Sequence, residues 1–544
     1  MKRMSLFVLF LFFTGFLFGQ SFNHVTVIDT SFDNGSLGGW GPRGSVQQGL
    51  ERVELDTSVK RSGAASMRIS NRTKTWQGPV HKLTDNAVAG DVYSMSAWIY
   101  YNEGPAMSPF VLSVQRSFKD TSKAHAYQNI TSFQVRRGEW TEIKTEYTVG
   151  ADPTQASIWV YFELPFKEDH LVTPNDRITF WMDDIKFIKL DPASRPKAEL
   201  NIPNLADIWA PHFDIGTAVT RDEVDFSSPT AQILMKHFTV LVAGNEQKME
   251  SIQPEEGKFD WAPADAIINF GEMTGMRFRW HTLVWHTQNP AWLFQESANS
   301  TRTVSRNVLN QRLRTYIQTV MRRYRGRVES YDVVNEVLSD RSGLRTGAEG
   351  SRWHEILGPE YIDNAFRWAK EADPTAQLVI NDYNLESDTR KRQEMFNLVK
   401  GMKERGVPVD AIGIQMHINI RTPSVQQIRE TIELFASLGV KVMVTELDIS
   451  IYTSDTEPIK NVTPALLLEQ AQRYKDIFAM LREQSQKGNL ADMVVIWGTT
   501  DHTSWKNDFP VRGRTDAPLL FDGRYQSKPA FWALVQPTRV QGLR

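Results

Sequence analysis

Two glutamates, Glu336 and Glu446, each follow closely on an apolar, strand-like run of the sequence. A glutamate taken at random is most often a solvated surface charge, but one at the end of an apolar strand is a candidate for chemistry. Cleaving an acetal requires one carboxyl group to protonate the leaving oxygen and a second to stabilise or capture the oxocarbenium-like carbon. The pair therefore predicts hydrolysis of a glycosidic bond, with retention of configuration if the carboxyl groups lie about 5–5.5 Å apart.

The Asn-Glu dipeptide alone does not single out Glu336, because it occurs at both Asn245-Glu246 and Asn335-Glu336. The polar residues that follow the other apolar runs are more informative, since they include amides, imidazoles, carboxylates and indoles. Indole faces suit the apolar face of a sugar ring, and amides suit its hydroxyl groups. The tryptophans Trp285, Trp497 and Trp505 could equally be core residues, but their place beside polar strand ends favours sugar platforms.

A metal site is the alternative interpretation of the histidines, because three imidazoles such as His281, His286 and His417 can hold zinc. His281 and His286 are five residues apart, so on a strand their side chains would point to opposite faces. The nearby Trp285 and Gln288 suit a sugar better than an ion. We therefore expect no catalytic metal and no cofactor for catalysis.

The elements that must position these residues alternate between strand-like and helical patterns from about residue 200 onward. The eight apolar runs are Phe213–Val219, Phe238–Val242, Met276–Leu283, Ser330–Val334, Leu378–Ile380, Ala411–Ile414, Val440–Val444 and Met493–Ile496. Eight strand–helix units predict an α/β fold, a (β/α)8 TIM barrel over residues 204–540, whose strands gather their carboxyl ends at one face. Glu336 and Glu446 then lie on strands four and seven, which we expect to face each other across the barrel.

The preceding region has a different texture, with short alternating strands and Gly, Asn and Asp turns but no long amphipathic helix. It predicts an all-β sandwich of jelly-roll type over residues 21–190. Prolines at 192, 196 and 203 mark a linker over residues 191–203.

The N-terminus combines basic residues with an apolar stretch from Leu6 to Phe18, which predicts a signal peptide over residues 1–20 and secretion to an extracellular or periplasmic space. The formal net charge of -2 does not indicate binding to nucleic acid. No later segment predicts a membrane span in the mature form. The absence of cysteine excludes disulfides, thiolate metal sites and cysteine nucleophiles.

Six segments in order resemble the family-10 glycoside hydrolases, the xylanase family, over roughly residues 200–537. They are the segments 245–248, 281–288, 332–336, 413–417, 444–448 and 497–498. The resemblance implies endo-β-1,4-xylanase activity by a retaining mechanism, with xylan and xylo-oligosaccharides as partners, Glu336 as acid/base and Glu446 as nucleophile.

The same resemblance implies roles for further residues. It assigns the glycone subsites to Asn245, Lys248, His281, Trp285 and Gln288, and it assigns Asn335 to the sugar 2-hydroxyl. His417 matches the imidazole that holds the nucleophile, with Asp448 behind it. Other groups that line the cleft are Tyr383, Gln415, Trp497 and Trp505.

The sequence departs from the family pattern at three positions. Gly244 and Gln247 stand where the family usually has Glu and Met, so a distal glycone contact is expected to be missing. Trp280 replaces a usual glycine, which predicts a large indole beside the cleft.

The N-terminal region is similar to xylan-binding modules of family 22 in the segments 71–79 and 181–185. That resemblance implies a sugar groove lined by Arg43, Trp76, Tyr127 and Glu163, and such modules often hold a structural calcium ion. The alternative is a purely structural β-sandwich, because a fold does not imply a function.

Two rival functions remain open at this point. A retaining cellulase or mannanase would use the same barrel and the same pair of glutamates, and the segments after strands two and three favour xylan over their substrates. A non-catalytic polysaccharide-binding protein would keep the cleft without the chemistry, and the presence of both Glu336 and Glu446 argues against it.

Overall fold

A computed structural model describes residues 23–44, 51–150, 152, 154–192, 196–226, 228–297 and 300–542. The predicted signal peptide lies outside these residues. The chain divides after Arg195 into two compact units.

The first unit is built from two antiparallel sheets. Its strands are β1 Val25–Thr30, β2 Gly41–Pro42, β3 Arg52–Asp56, β4 Ser66–Ser70, β5 Pro79–Thr84, β6 Val92–Tyr100, β7 Met107–Phe118, β8 Ala126–Arg136, β9 Thr141–Thr148, β10 Gln155–Glu163 and β11 Phe180–Lys189. One sheet has the order β3-β4-β11-β6-β9 with β1 paired to β11, and the other has the order β2-β5-β10-β7-β8. The strands alternate inward and outward residues, so one face of each sheet supplies a shared core that includes Met95, Leu112 and Phe187. The predicted β-sandwich is confirmed.

The second unit is a closed parallel barrel. Its strands are β12 Asp214–Val219, β13 Val240–Ala243, β14 Arg277–Trp280, β15 Ser330–Asn335, β16 Gln377–Asp382, β17 Ala411–Ile414, β18 His417–Asn419, β19 Lys441–Ser450 and β20 Leu490–Ile496. The eight long strands form a ring because β17 pairs with β19 and β12 pairs with β20, while the short β18 adds to β19 beyond the ring. The predicted (β/α)8 barrel is confirmed.

Helices connect successive strands of the barrel. They are α1 Leu205–Trp209, α2 Pro229–His237, α3 Met249–Ile252, α4 Ala262–Thr274, α5 Arg306–Arg323, α6 Arg352–Leu357, α7 Glu360–Ala372, α8 Thr389–Glu404, α9 Val425–Ala436, α10 Pro464–Gln486 and α11 Pro529–Val535. In α5, apolar residues at helical spacing are buried against the barrel, and the Ser305 side chain accepts a hydrogen bond from the backbone N–H of Val308 and caps the helix. None of the helices described by the structure is long and apolar enough to cross a membrane.

The period-two alternation of the strands divides the barrel core into two layers. Val240 and Val242 of β13 belong to a cluster inside the ring, together with Met443 and Val495 from the far side. Leu241 of the same strand packs outward in the large cluster shared with the helices. The ring interior is therefore filled, and only its carboxyl end can offer a cleft.

The ring order corrects one expectation. Two strands, β16 and β17, lie between β15 and β19, so Glu336 and Glu446 are not on directly opposite strands. Their carboxyl groups are brought together by the shared end of the barrel rather than by facing positions across it.

Candidate active site

Glu446 lies within β19, and only 5% of its side chain is exposed. Its Oε1 accepts a hydrogen bond from Asn381 Nδ2 at 2.8 Å, and its Oε2 lies 3.2 Å from His417 Nε2. A second imidazole approaches Oε1, with His281 Nδ1 at 3.9 Å. The carboxylate is thus fixed in place by an amide and flanked by two imidazoles.

His417 lies between Glu446 and Asp448 in a chain of polar contacts that continues to Trp505. Its Nδ1 lies 2.9 Å from Asp448 Oδ2, and the same carboxylate oxygen accepts a hydrogen bond from Trp505 Nε1 at 2.8 Å. Burial alone would lower the pKa of His417, but the carboxylates of Asp448 and Glu446 outweigh it and raise the pKa to about 9. The ring is therefore an imidazolium at neutral pH.

The charge of Glu446 follows from the same surroundings. Burial alone would raise the pKa of this carboxyl group, but the electrostatic interaction with His281, the hydrogen bond and charge of His417, and the charge of Arg279 together lower it to about 2. Glu446 is consequently ionised at any ordinary working pH, although it is almost completely buried.

Glu336 follows directly on β15 and has a left-handed backbone, with φ of 55°. Such a φ is uncommon for a non-glycine residue and clusters at functional sites. Its Oε2 accepts a hydrogen bond from Trp285 Nε1 at 2.7 Å, and its Oε1 accepts one from Gln415 Nε2 at 3.1 Å. With 15% of its side chain exposed, Glu336 is more accessible than Glu446.

Gln415 connects the two glutamates. Its side-chain amide donates to Glu336, and its backbone carbonyl accepts a hydrogen bond from the backbone N–H of Glu446 at 3.1 Å. Both carboxyl groups therefore belong to one site at the carboxyl end of the barrel.

Asn335 and Asn381 form a pair of buried amides beside Glu446. Asn381 Nδ2 donates to Asn335 Oδ1 at 2.9 Å as well as to Glu446. Asn335 is 2% exposed, and its own Nδ2 has no hydrogen-bond partner in the structure. A buried donor without a partner is costly, so this amide group is available for a hydroxyl group of a bound ligand.

Four residues predicted for the glycone side form one cluster after β13 and β14. Asn245 Oδ1 accepts hydrogen bonds from Lys248 Nζ at 3.0 Å and from Gln288 Nε2 at 3.3 Å. Lys248 Nζ also lies 4.8 Å from the ring centre of Trp285, the residue that donates to Glu336. The cluster thus combines an indole with amide and ammonium donors next to Glu336.

His281, Asp332 and Glu446 offer ligand atoms within 4.8 Å of one another, the one such close group of three among the described residues. Asp332 Oδ2, however, lies 2.8 Å from His281 Nδ1 and also forms an ion pair with the buried Arg279. The positive charge of Arg279 disfavours a metal cation at that oxygen. We interpret the group as a charged support for Glu446.

Two further predicted cleft residues lie at strand ends. Trp497 follows β20 and has its ring centre 5.2 Å from that of His281 and 6.4 Å from that of His417. Tyr383 follows β16, where its hydroxyl group donates to Asp340 at 2.7 Å and accepts from Arg345 at 2.8 Å.

In the first unit, the four predicted groove residues also lie together. Arg43 Nη1 donates to Glu163 Oε2 at 3.0 Å and to the backbone carbonyl of Trp76 at 2.9 Å. The Arg43 guanidinium lies 5.3 Å from the ring centre of Tyr127 and 3.5 Å from that of Tyr161. Tyr161 was not predicted, because it alternates along β10 with core residues and gives no separate signal. The calcium ion stays a prediction.

Comparisons with known proteins show the family of the barrel. Residues 204–537 match the profile of Glycosyl hydrolase family 10, and residues 26–175 match that of a Carbohydrate binding domain. The chain belongs to glycosyl hydrolase family 10. The solved structure of a GH10 protein from Paenibacillus barcinonensis has 45% sequence identity and a TM-score of 0.62, covering 63% of this chain and 100% of that one.

Two curated relatives extend the likeness to nearly the whole chain. Endo-1,4-beta-xylanase C from Paenibacillus barcinonensis is 39% identical over 94% of this chain and 47% of its own length. Exoglucanase XynX from Acetivibrio thermocellus is 34% identical over 96% of this chain and 46% of its own length. The chain thus spans about half the length of these curated relatives.

The structure corrects one interpretation of the departures from the family 10 pattern. Trp280 is completely buried on the helix side of β14, with its ring centre 4.9 Å from that of Tyr324 and 6.1 Å from that of Tyr331. It therefore does not lie beside the cleft, because neighbouring residues on a strand point to opposite faces.

The other two departures surround the glycone cluster. Gln247 is buried, and its Oε1 accepts a hydrogen bond from the backbone N–H of His281 at 3.1 Å. At Gly244 an added Cβ would meet nothing closer than the carbonyl oxygen of Val219 at 3.6 Å, so space does not require glycine there.

One residue of this family 10 site was missed from the sequence. Asn381 contacts both Asn335 and Glu446, yet it was not among the predicted site residues. Its position in the polar stretch that ends β16, two residues before Tyr383, is the signal that could have identified it.

Proposed function

We propose that the barrel hydrolyses internal β-1,4-xylosidic bonds of xylan with retention of configuration, through a covalent intermediate on Glu446. The observation that carries the proposal is the contrast between the two carboxyl groups, which share one site through Gln415. Glu446 is buried and held ionised, as a nucleophile requires, whereas Glu336 is more exposed and can reach a glycosidic oxygen.

The reaction proceeds in two displacements. In the first, the Glu446 carboxylate attacks the anomeric carbon while Glu336 gives its proton to the glycosidic oxygen, so the leaving chain departs with a hydroxyl group and a glycosyl ester remains. In the second, the Glu336 carboxylate takes a proton from water, the water oxygen attacks the anomeric carbon, and Glu446 is released as a carboxylate. Two inversions give net retention.

The neighbouring residues support each displacement. The unpartnered amide of Asn335 can donate to the sugar 2-hydroxyl, a contact that strengthens as charge develops at the anomeric carbon. His417 and Asn381 hold the Glu446 carboxylate before the attack and receive its charge back when the ester is hydrolysed. Trp285, which donates to Glu336, and Trp497, beside His281 and His417, offer indole rings near these groups.

The first unit and the location complete the proposal. The exposed Tyr127 beside Arg43, Trp76 and Glu163 is suited to a xylan chain, because aromatic rings and hydrogen-bonding groups lie together around Arg43. A protein that acts on a polysaccharide too large to enter a cell is expected to be secreted, which accords with the predicted signal peptide.

The division of labour is tested by removing each carboxylate. In Glu336→Ala the leaving oxygen is not protonated, so xylan hydrolysis should fall by about 10²–10⁴-fold, while an aryl xylobioside with a good leaving group should still form the ester. The ester should accumulate on Glu446, visible by mass spectrometry. Azide needs no general base, so it should restore turnover and give a β-azide product.

In Glu446→Ala no ester can form, so all substrates should suffer alike and azide should give at most an α-product. Glu246→Gln, in the other Asn-Glu dipeptide, is the matched control, and its activity on xylan should fall less than about tenfold. An adduct on another residue, or the reverse azide stereochemistry, would contradict the roles. Faster release of sugars from cellulose or mannan than from xylan would contradict the substrate.

A further inference from the structure

The Asn381 amide is held on both of its ends. Its Nδ2 donates to Asn335 and to Glu446, whereas its Oδ1 accepts a hydrogen bond from Thr445 Oγ1 at 2.7 Å. Thr445 and Asn381 are both completely buried. Because both side chains are shielded from bulk solvent, a hydrogen bond that is lost here leaves an unpaired polar atom.

The amide also needs space on the side of β17. Asn335, Asn381 and Gly413 are register neighbours across β15, β16 and β17. A Cβ at Gly413 would lie 2.3 Å from Asn381 Oδ1 and 2.9 Å from Thr445 Cγ2, distances that real Cβ atoms essentially never show. A side chain larger than glycine would therefore displace the amide or the threonine.

We infer that Thr445 and Gly413 are positioning residues that fix the orientation of the Asn381 amide, so that it donates to Asn335 and Glu446 together. The reason is geometric: a rotated amide would turn its carbonyl oxygen toward the Glu446 carboxylate, where the two oxygens repel each other, and Thr445 would no longer donate to that oxygen. The inference rests on the proposed function of Glu446 as nucleophile and adds two residues that contact neither substrate nor the carboxylate.

The hydrogen bond from Thr445 to Asn381 is most important while Glu446 is esterified, between the two displacements. When Glu446 is esterified it loses its negative charge, and the hydrogen bond from Asn381 weakens because charge-assisted bonds are the stronger ones. The hydroxyl group of Thr445 bonds to the opposite end of the amide and is unaffected by that loss. The amide consequently stays in place to receive the carboxylate when the ester is hydrolysed.

The experiment replaces the hydroxyl group with a methyl group in the full-length protein. Thr445→Val keeps the shape but sets a carbon against Asn381 Oδ1, so kcat/KM on an aryl xylobioside should fall about tenfold to hundredfold. The acidic limb of the pH profile should move to higher pH, because the ionised form of Glu446 loses support. The preference for a substrate with a 2-hydroxyl over its 2-deoxy analogue should shrink, because Asn335 is no longer held.

Two variants separate this effect from general damage. Thr445→Ser keeps the donor and should retain the wild-type pH profile and 2-hydroxyl preference. Thr499→Val removes the hydroxyl group of another buried threonine at a barrel strand end, one whose oxygen has no hydrogen-bond partner, and should leave both readouts unchanged. Gly413→Ala crowds the same amide oxygen with a methyl group and should reproduce the changes seen in Thr445→Val, which keeps the test valid if one variant fails to fold.

The inference is overturned if folded Thr445→Val or Gly413→Ala keeps both the acidic limb and the 2-hydroxyl preference of the wild type. Failure of the proposed function would look different, since Glu446→Ala would then retain activity whatever Thr445 does.

Discussion

Glu446 and Glu336 carry the same side chain in different surroundings, and the difference lies in a few named contacts. Glu446 is flanked by His281 and His417, which outweigh its burial and keep its pKa at about 2. Glu336 contacts the neutral donors Trp285 and Gln415. Because charged partners shift a carboxyl group toward its ionised form, one member of the pair is fixed as an anion.

The same charges predict how stability depends on pH. The pKa of His417 is raised from 6.5 to about 9, so the imidazolium contributes stability that is complete below pH 6.5 and is lost as pH rises through 9. The pKa of Glu446 is lowered from 4.5 to about 2, so its contribution is present above pH 4.5 and is lost as pH falls through 2. Between pH 4.5 and 6.5 both contributions are complete.

We expect His417→Asn to remove the alkaline part of this dependence. In the wild type the free energy of unfolding of the barrel should fall between pH 6.5 and 9 by up to about 1.4 kcal/mol per pH unit from this group, and in the variant that slope should be absent. Urea unfolding at several pH values measures it. His170→Asn is the control, because 71% of the His170 side chain is exposed. An unchanged slope in His417→Asn would show that the imidazolium does not stabilise the fold.

At the scale of elements, the sequence predicted the barrel well because buried parallel strands appear as continuous apolar runs. All eight runs coincide with strands, and Glu336 and Glu446 could be selected because they end such runs. Strand length was less predictable. The predicted strand ends at Val444, whereas β19 continues to Ser450 and its added part pairs with β18.

Contacts between strands explain what the sequence did not predict. Asn381 has its role only because β15 and β19 bring Asn335 and Glu446 to it. Gly413 reads as an ordinary small strand residue until the amide beside it is located. The direction of Trp280 depended on which face of β14 is turned toward the helices, and a four-residue strand is too short to show that by alternation.

Trp280 provides a test at this scale, because its indole packs between β14 and the helices. Trp280→Ala should lower the free energy of unfolding of the barrel by about 3–5 kcal/mol through the cavity it leaves. Trp280→Phe should lose less, since the indole nitrogen has no hydrogen-bond partner to forfeit. In both variants kcat/KM of the folded protein should stay near the wild-type value. A loss of activity without a loss of stability would contradict this placement and indicate that Trp280 lies beside the cleft.

At the scale of the whole molecule, the two units have separate sources of stability and separate candidate sites. The core of the first unit consists of residues between Ile28 and Phe187, and the large core of the second consists of residues between Ile202 and Leu534. The groove around Arg43 and the site around Glu446 share no residue. We therefore expect each unit to fold without the other.

This separation predicts which activities survive when the chain is divided. A protein beginning at Pro196 should hydrolyse soluble xylo-oligosaccharides at the rate of the full chain, but it should bind and degrade insoluble xylan less well, because a linked binding unit raises the effective concentration of the barrel on a surface. Trp76→Ala in the full chain should reproduce the loss on insoluble xylan, whereas Trp98→Ala, on the other sheet of the same unit, should not. Pull-down on insoluble xylan and reducing-sugar release from both substrates measure these effects. Equal binding by the full chain, the truncated protein and Trp76→Ala would leave the sandwich with a purely structural role.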